Sequence, residues 1–190
     1  MLQLYKSLVR SRVEYCCPLW NPLKVTDIQT IEDVQRHFTR RIAGTGDIEY
    51  WERLTALNLQ SLQRRRERYM IIHVWKILNY ISPNDIGMQF TDNARLGKKV
   101  KIPAFSKEAP LSAVTLYDSS FAVHAGKLWN TLPGYVTSPT KLDSFKAQLG
   151  KFLHLIPDKP PVKGYYTSQN RNSIIDWRSQ SGGLQNVWRP

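Results

Sequence analysis

The chain has 190 residues, with 27 Lys and Arg against 15 Asp and Glu, a formal charge of +12; 42% of the residues are hydrophobic and 22% charged. That is enough apolar material for a buried core, and no apolar run approaches the roughly 20 residues that cross a bilayer, so a membrane span is excluded. A cationic excess of this size attracts polyanions, nucleic acid above all, and carries no information about fold.

Leu2, Tyr5, Val9, Val13, Cys16 and Trp20 recur at helical spacing and predict an amphipathic helix over residues 2–16, ended by Pro18 and Pro22, with Cys16 as a small core residue. The neighbours Cys16 and Cys17 make no disulfide framework, and the N-terminus lacks an apolar signal core. An intracellular protein of nucleus or cytoplasm is expected, not a secreted one. A second helix begins near Thr26 or Asp27, with Ile28, Ile31, Val34, Phe38 and Ile42 as its apolar stripe and Gly44 beyond its end. Its acids sit early and Arg36, Arg40 and Arg41 late, the polarity that suits a helix dipole. A short helix spans about 50–57.

The stretch 61–81, SLQRRRERYMIIHVWKILNYI, organises the rest. From Tyr69 onward it has almost no polar face, as expected of a helix surrounded by other elements. Its opening turns hold Arg64, Arg65, Arg66 and Arg68, where the helix dipole is already positive and each cation is unfavourable by about 0.3–1 kcal/mol. Either nearby acids such as Glu49, Glu52 and Glu67 neutralise this collar, or it faces a polyanion.

Residues 86–115 lose helical periodicity; Val100-Lys101-Ile102 is the one alternating fragment, and Lys98, Lys99 and Lys101 form a second basic spot. Two more helices are expected, at about 119–132 and from Ser138 or Thr140 to Leu153. The segment beyond Pro157 reads as a flexible tail with docking points at Tyr165, Tyr166, Ile174, Ile175 and Trp177. The expected fold is mainly α: a helical bundle over 1–81, an extension with an irregular insertion and two helices over 82–156, and the tail over 157–190.

Catalytic groupings are not found in the sequence. Gly44-Thr45-Gly46 lacks the remainder of a phosphate loop; the two cysteines and four histidines have no zinc-binding spacing; no Asp-Asp pair and no Gly-x-Ser-x-Gly occur. A two-metal polymerase or nuclease centre needs grouped carboxylates, and the 15 acids here are scattered. No metal or cofactor is expected.

Five blocks nonetheless carry a family likeness. LYKSLVRSRVEYCCPLWNP (4–22), IEDVQRHFTRRIAG (31–44), YWERLTALNLQSLQRRRERYMIIHVWKILN (50–79), YDSSFAVHAGKLWNTLP (117–133) and LDSFKAQLGKFL (142–153) resemble, in order and spacing, the C-terminal part of jockey-like non-LTR retrotransposon reverse transcriptases. The resemblance implies a helical thumb and post-thumb region, a parent that copies RNA into DNA, and a palm and endonuclease lying outside this chain. No catalytic residue carries over. Relatives often have an acid just after the Ser-Leu matching Ser61-Leu62, where this chain has Gln63 and Arg64. The expected partners are RNA or an RNA/DNA duplex, bound non-specifically through phosphates, and the parent's palm domain. Contacts are expected first from Arg64, Arg65, Arg66 and Arg68, next from Arg36, Arg40 and Arg41, and last from Lys98, Lys99 and Lys101. A helical protein-interaction or remnant module without nucleic-acid binding is the alternative.

Overall fold

The computed structural model describes residues 1–93, 97–106, 110–163 and 172–180. The chain is mainly α-helical, as expected, with one two-stranded sheet among the described residues. It divides into two compact units, Met1–Arg66 with Pro157–Trp177, and Glu67–Ile156 with the residues from Arg178 onward. The division falls inside the long helix rather than after residue 81, and part of the expected tail belongs to the first unit.

In the first unit, α1 (Leu2–Leu4) runs through a π-helical stretch, Tyr5–Val9, into α2 (Arg10–Val13). A π turn takes in one extra residue, which rotates everything after it by about 100°. This phase shift corrects the expectation for Cys16. The backbone turns left-handed at Cys16 (φ 49°), which is exposed, and Cys17 at the start of α3 (Cys17–Trp20) enters the core instead.

Helix α4 (Val25–Arg40) also buries a face other than the apolar stripe read from sequence. Ile28 is in the core, but so are Gln29, Glu32, Gln35 and Thr39, while Val34 is exposed. Helix α5 (Tyr50–Ala56) supplies Tyr50 and Leu54, which pack with Leu59 and with Val162 from the C-terminal segment. Trp51 lies against the same cluster and its Nε1 donates to the carbonyl of Pro160 at 3.1 Å.

Helix α6 (Leu62–Leu78) crosses the boundary. In the second unit Met70, Ile71, Val74, Trp75 and Ile77 are buried, each contributing about 1.5–3 kcal/mol as a fully buried apolar side chain. The anchor half of the helix is therefore core.

The region expected to be irregular contains a hairpin, β1 (Gln89–Asn93) antiparallel to β2 (Gly97–Lys101), with Phe90 opposite Val100 and Asp92 opposite Lys98. Helices α7 (Leu111–Ser119), α8 (Phe121–Thr131), α9 (Gly134–Thr137) and α10 (Leu142–His154) follow. The Phe145 ring lies 5.3 Å from Trp75, stacked, and 6.0 Å from Trp129. Val100 comes so close to α8 that a Cβ on Gly126 would meet its Cγ1 at 2.9 Å, so only glycine permits this contact.

The described part of the C-terminal segment is built into the first unit. Pro160, Pro161 and Val162 are buried, and Ile174 at the head of α11 (Ile174–Gln180) is fully buried. The expected docking points Tyr165 and Tyr166 lie outside the described residues.

Candidate functional site

The first turn of α6 holds the greatest density of charge in the sequence, and its backbone explains how those charges are arranged. Ser61 caps the helix: its Oγ accepts the Arg64 N–H at 3.0 Å. In a capping box, an acid at the position of Arg64 would accept the N–H of the cap residue in return. Here Asp158 does so from the C-terminal segment, with Oδ2 accepting the Ser61 N–H and Oδ1 accepting its O–H, both at 2.7 Å. The acid missing from the local sequence is thus supplied from 97 residues away.

The next two N–H groups meet Glu32. Its carboxylate accepts Leu62 N–H at 3.1 and 3.2 Å and Gln63 N–H at 3.3 Å, and Tyr50 O–H donates to it at 2.5 Å. Gln35 extends the network. Its Oε1 accepts the Tyr5 O–H at 2.7 Å, and its Nε2 lies 3.1 Å from both the Tyr50 hydroxyl and the Gln60 carbonyl. Burial, reinforced by Asp158, pushes the Glu32 carboxyl up to about 7; the Tyr50 hydroxyl, Arg66 and the Leu62 N–H pull it the other way. Burial and the Glu32 charge raise the Tyr50 and Tyr5 hydroxyls well above the usual range.

Asp158, Glu14 and neighbouring amide and carbonyl oxygens hold the arginines of α6, and the expected outward collar is corrected on three of its four members. Arg64 is 1% exposed; its Nη2 donates to the carbonyls of Pro157 (3.0 Å) and Asn172 (3.2 Å), and its Nε lies 3.9 Å from Asp158 Oδ1. Arg66 is equally buried, with Nε donating to Asn21 Oδ1 at 2.9 Å and its guanidinium 6.0 Å from the centre of the Trp20 ring. Arg65 is mostly covered and forks onto Glu14, Nε to Oε1 and Nη2 to Oε2 at 2.9 Å. Arg68 is half-buried and donates from Nη2 to the Lys146 carbonyl at 3.3 Å. Glu14, Glu32 and Asp158 stand far from this turn in sequence, so local reading had no signal for them.

The second group lies at the other end of α4. Arg40 and Arg41 are exposed, and among the described residues neither is held by an ion pair. Arg36 is tied to Asp33 at 3.3 Å, with Lys163 on the other oxygen of that carboxylate at 3.6 Å. Beneath them Arg53 is buried, donating to the carbonyls of Arg36 (3.1 Å) and Ile48 (2.8 Å). Its pKa is lowered, first by burial and then by Arg40, with Arg36 adding to the effect and Tyr50 and Glu49 opposing it. Asp33 offsets Arg36, which leaves Arg40 and Arg41 as the outward cations at this end of α4.

In the second unit the three hairpin lysines diverge. Lys98 and Lys101 are exposed. Lys99 instead donates to the carbonyls of Asn130 (3.1 Å) and Leu132 (3.2 Å), where the negative end of α8 favours a cation. Arg178 donates to the Asn130 and Thr131 carbonyls at the same helix end. Burial and Arg178 lower the Lys99 pKa. It is a helix-end staple and not an outward contact.

Among the described residues no group of three or more His, Cys, Asp or Glu side chains is arranged to hold a metal ion, and no helix is long and apolar enough to cross a membrane. His124 is mostly buried, and burial together with Lys127 lowers its pKa to about 4. Comparison with models of known protein families, with curated proteins and with solved structures found no match.

Proposed function

We propose that this chain is a non-catalytic C-terminal region of a non-LTR retrotransposon reverse transcriptase, and that it steadies template and primer nucleic acid through phosphate contacts. The observation that carries the phosphate contacts is the exposure of Arg40 and Arg41 at the end of α4, where neither is held by an ion pair among the described residues. The family assignment rests on the five ordered blocks. Arg40 and Arg41 are the principal contacts. Arg64, Arg65 and Arg66 serve the interior: they bind the C-terminal segment and the N-terminal helices to α6. Phosphate contacts of this kind fix position and read no base sequence.

The test is equilibrium binding of a labelled RNA/DNA duplex to the whole chain. Replacing Arg40 and Arg41 by Gln weakens binding on this reading; unchanged affinity in that double variant overturns it.

A protein contact is favoured by a different observation. Leu4, Leu8 and Leu19 on the N-terminal helical segment are each more than half exposed, Leu19 to 84%. Large apolar side chains left exposed along the N-terminal segment favour a protein contact, and the parent's palm domain is the partner this reading supplies. Concentration-dependent association in size-exclusion chromatography, abolished by replacing Leu4 and Leu8 with Ser, is the expected result; a monomer at all concentrations opposes it.

A further inference from the structure

Two residues beyond the end of α6 the chain turns at a position where glycine is the favoured residue and a tyrosine stands instead. Tyr80 has φ 57°, the left-handed conformation that glycine adopts at no cost and a tyrosine adopts under strain. The turn is locked there. Tyr80 N–H donates to the Ile77 carbonyl at 3.1 Å, and the N–H groups of Ile81 and Ser82 both donate to Lys76, at 2.9 and 3.3 Å. The ring is 93% exposed, so burial returns nothing for the strain.

Beside it lies a cavity of about 550 Å³, within the size range of small-ligand sites, shared by Tyr80, Ile77, Phe90, Asp92 and Lys98. The hairpin register explains how three of these come together. Phe90 and Asp92 are two apart on β1, and Lys98 is the partner of Asp92 on β2, so all three fall on one face of the sheet. Asn84 is also on the wall, but its amide is spent on Met88, donating to the carbonyl and accepting the N–H, both at 2.8 Å.

We propose that this cavity takes one unpaired nucleotide of a single strand, its base against Tyr80 and Phe90 and its phosphate toward Lys98. The inference deepens the nucleic-acid reading above and rests on it. An aromatic platform beside a cation is the chemistry that holds single strands, because every base has a π face and every linkage a charge. Asp92 sets the direction: its carboxylate repels a phosphate and accepts hydrogen bonds from base amino groups. The strained turn fixes where the Tyr80 side chain leaves the backbone, beside the cavity.

The experiment measures fluorescence anisotropy of a labelled single-stranded RNA of about ten nucleotides, and separately of a duplex, on the whole chain. The variant is Tyr80→Gly, which suits this backbone and therefore keeps the fold; its thermal midpoint stays the same or rises. Single-strand affinity is expected to fall at least about fivefold, the lower end of what one stacked base contributes, with duplex affinity unchanged. Tyr80→Phe restores single-strand binding. Equal single-strand affinity in Tyr80→Gly and the natural chain overturns the site, and so does a natural chain that binds the duplex but not the single strand. In both cases a duplex affinity that still depends on Arg40 and Arg41 leaves the broader reading standing.

Discussion

Replacing Glu32 by Gln separates the electrostatics of the α6 cap from its shape. The carboxylate is fully buried and receives Tyr50 O–H, Leu62 N–H and Gln63 N–H. A glutamine keeps the volume but offers one acceptor oxygen, and its NH2 is forced against a donor. A protonated Glu32 keeps a hydroxyl oxygen that still accepts, which the NH2 of glutamine does not, and one buried donor left unmatched costs about 1–3 kcal/mol, so a loss near 2 kcal/mol is expected where Glu32 is neutral. The pH dependence then follows from its pKa of about 7, against an ordinary value of 4.5. A carboxyl whose pKa is raised by folding holds its proton longer in the folded state. The stability it contributes is complete below pH 4.5 and is lost as pH rises to 7. At 1.36 kcal/mol per pKa unit that loss is about 3 kcal/mol. Glutamine does not titrate, so Glu32→Gln is the less stable by about 2 kcal/mol near pH 4.5, and the difference closes and reverses to about 1 kcal/mol in favour of the variant toward pH 8. Urea unfolding of both proteins across this range measures it. A deficit in the variant that widens as pH rises means that the hydrogen bonds to the carboxylate outweigh its burial, and refutes the reasoning.

Three further substitutions test separate joints. Asp158→Asn leaves Arg64 buried without its carboxylate and weakens the cap on Ser61, at a cost of about 2–4 kcal/mol, seen as a lower urea midpoint and faster proteolysis at residues 157–163. Gly126→Ala drives a methyl into Val100 and costs about 1–3 kcal/mol; a drop in thermal midpoint is expected, and an unchanged midpoint shows that β2 shifts freely. Lys99→Met removes the donor to the end of α8 and costs about 1 kcal/mol without altering duplex affinity, whereas a loss of affinity returns Lys99 to the binding surface.

The second half of α6 was legible because it needs no knowledge of what surrounds it: a run such as Met70, Ile71, Val74, Trp75 and Ile77 has to be covered by something. The arginines before it were not, because their orientation depends on Glu14, Glu32 and Asp158, and chain distance hides such partners. Polarity also misled in α4. Its buried face carries Glu32, Gln35 and Thr39, which belong in the interior only because Tyr5, Tyr50 and the α6 cap hydrogen-bond to that face. Cys16 and Cys17 exchanged places because no periodicity rule anticipates a π turn. The β2 strand, Gly97–Lys101, is mostly lysine; it was missed because Lys99 lays a charged side chain against a helix end where an apolar one was awaited. Arg40 and Arg41 kept the outward position that their place in the last turn of a helix suggested.

The claim that outward charge lies at the end of α4, and inward charge at the start of α6, is tested most directly by the salt dependence of duplex binding. With Arg40 and Arg41 each neutralising a phosphate, the two contribute about −1.8 to the slope of log affinity against log salt. Arg40→Gln with Arg41→Gln makes the slope shallower by about that amount, and Arg65→Gln, whose guanidinium is turned onto Glu14, leaves it at the natural value. A slope that follows Arg65 and ignores Arg40 and Arg41 contradicts the account.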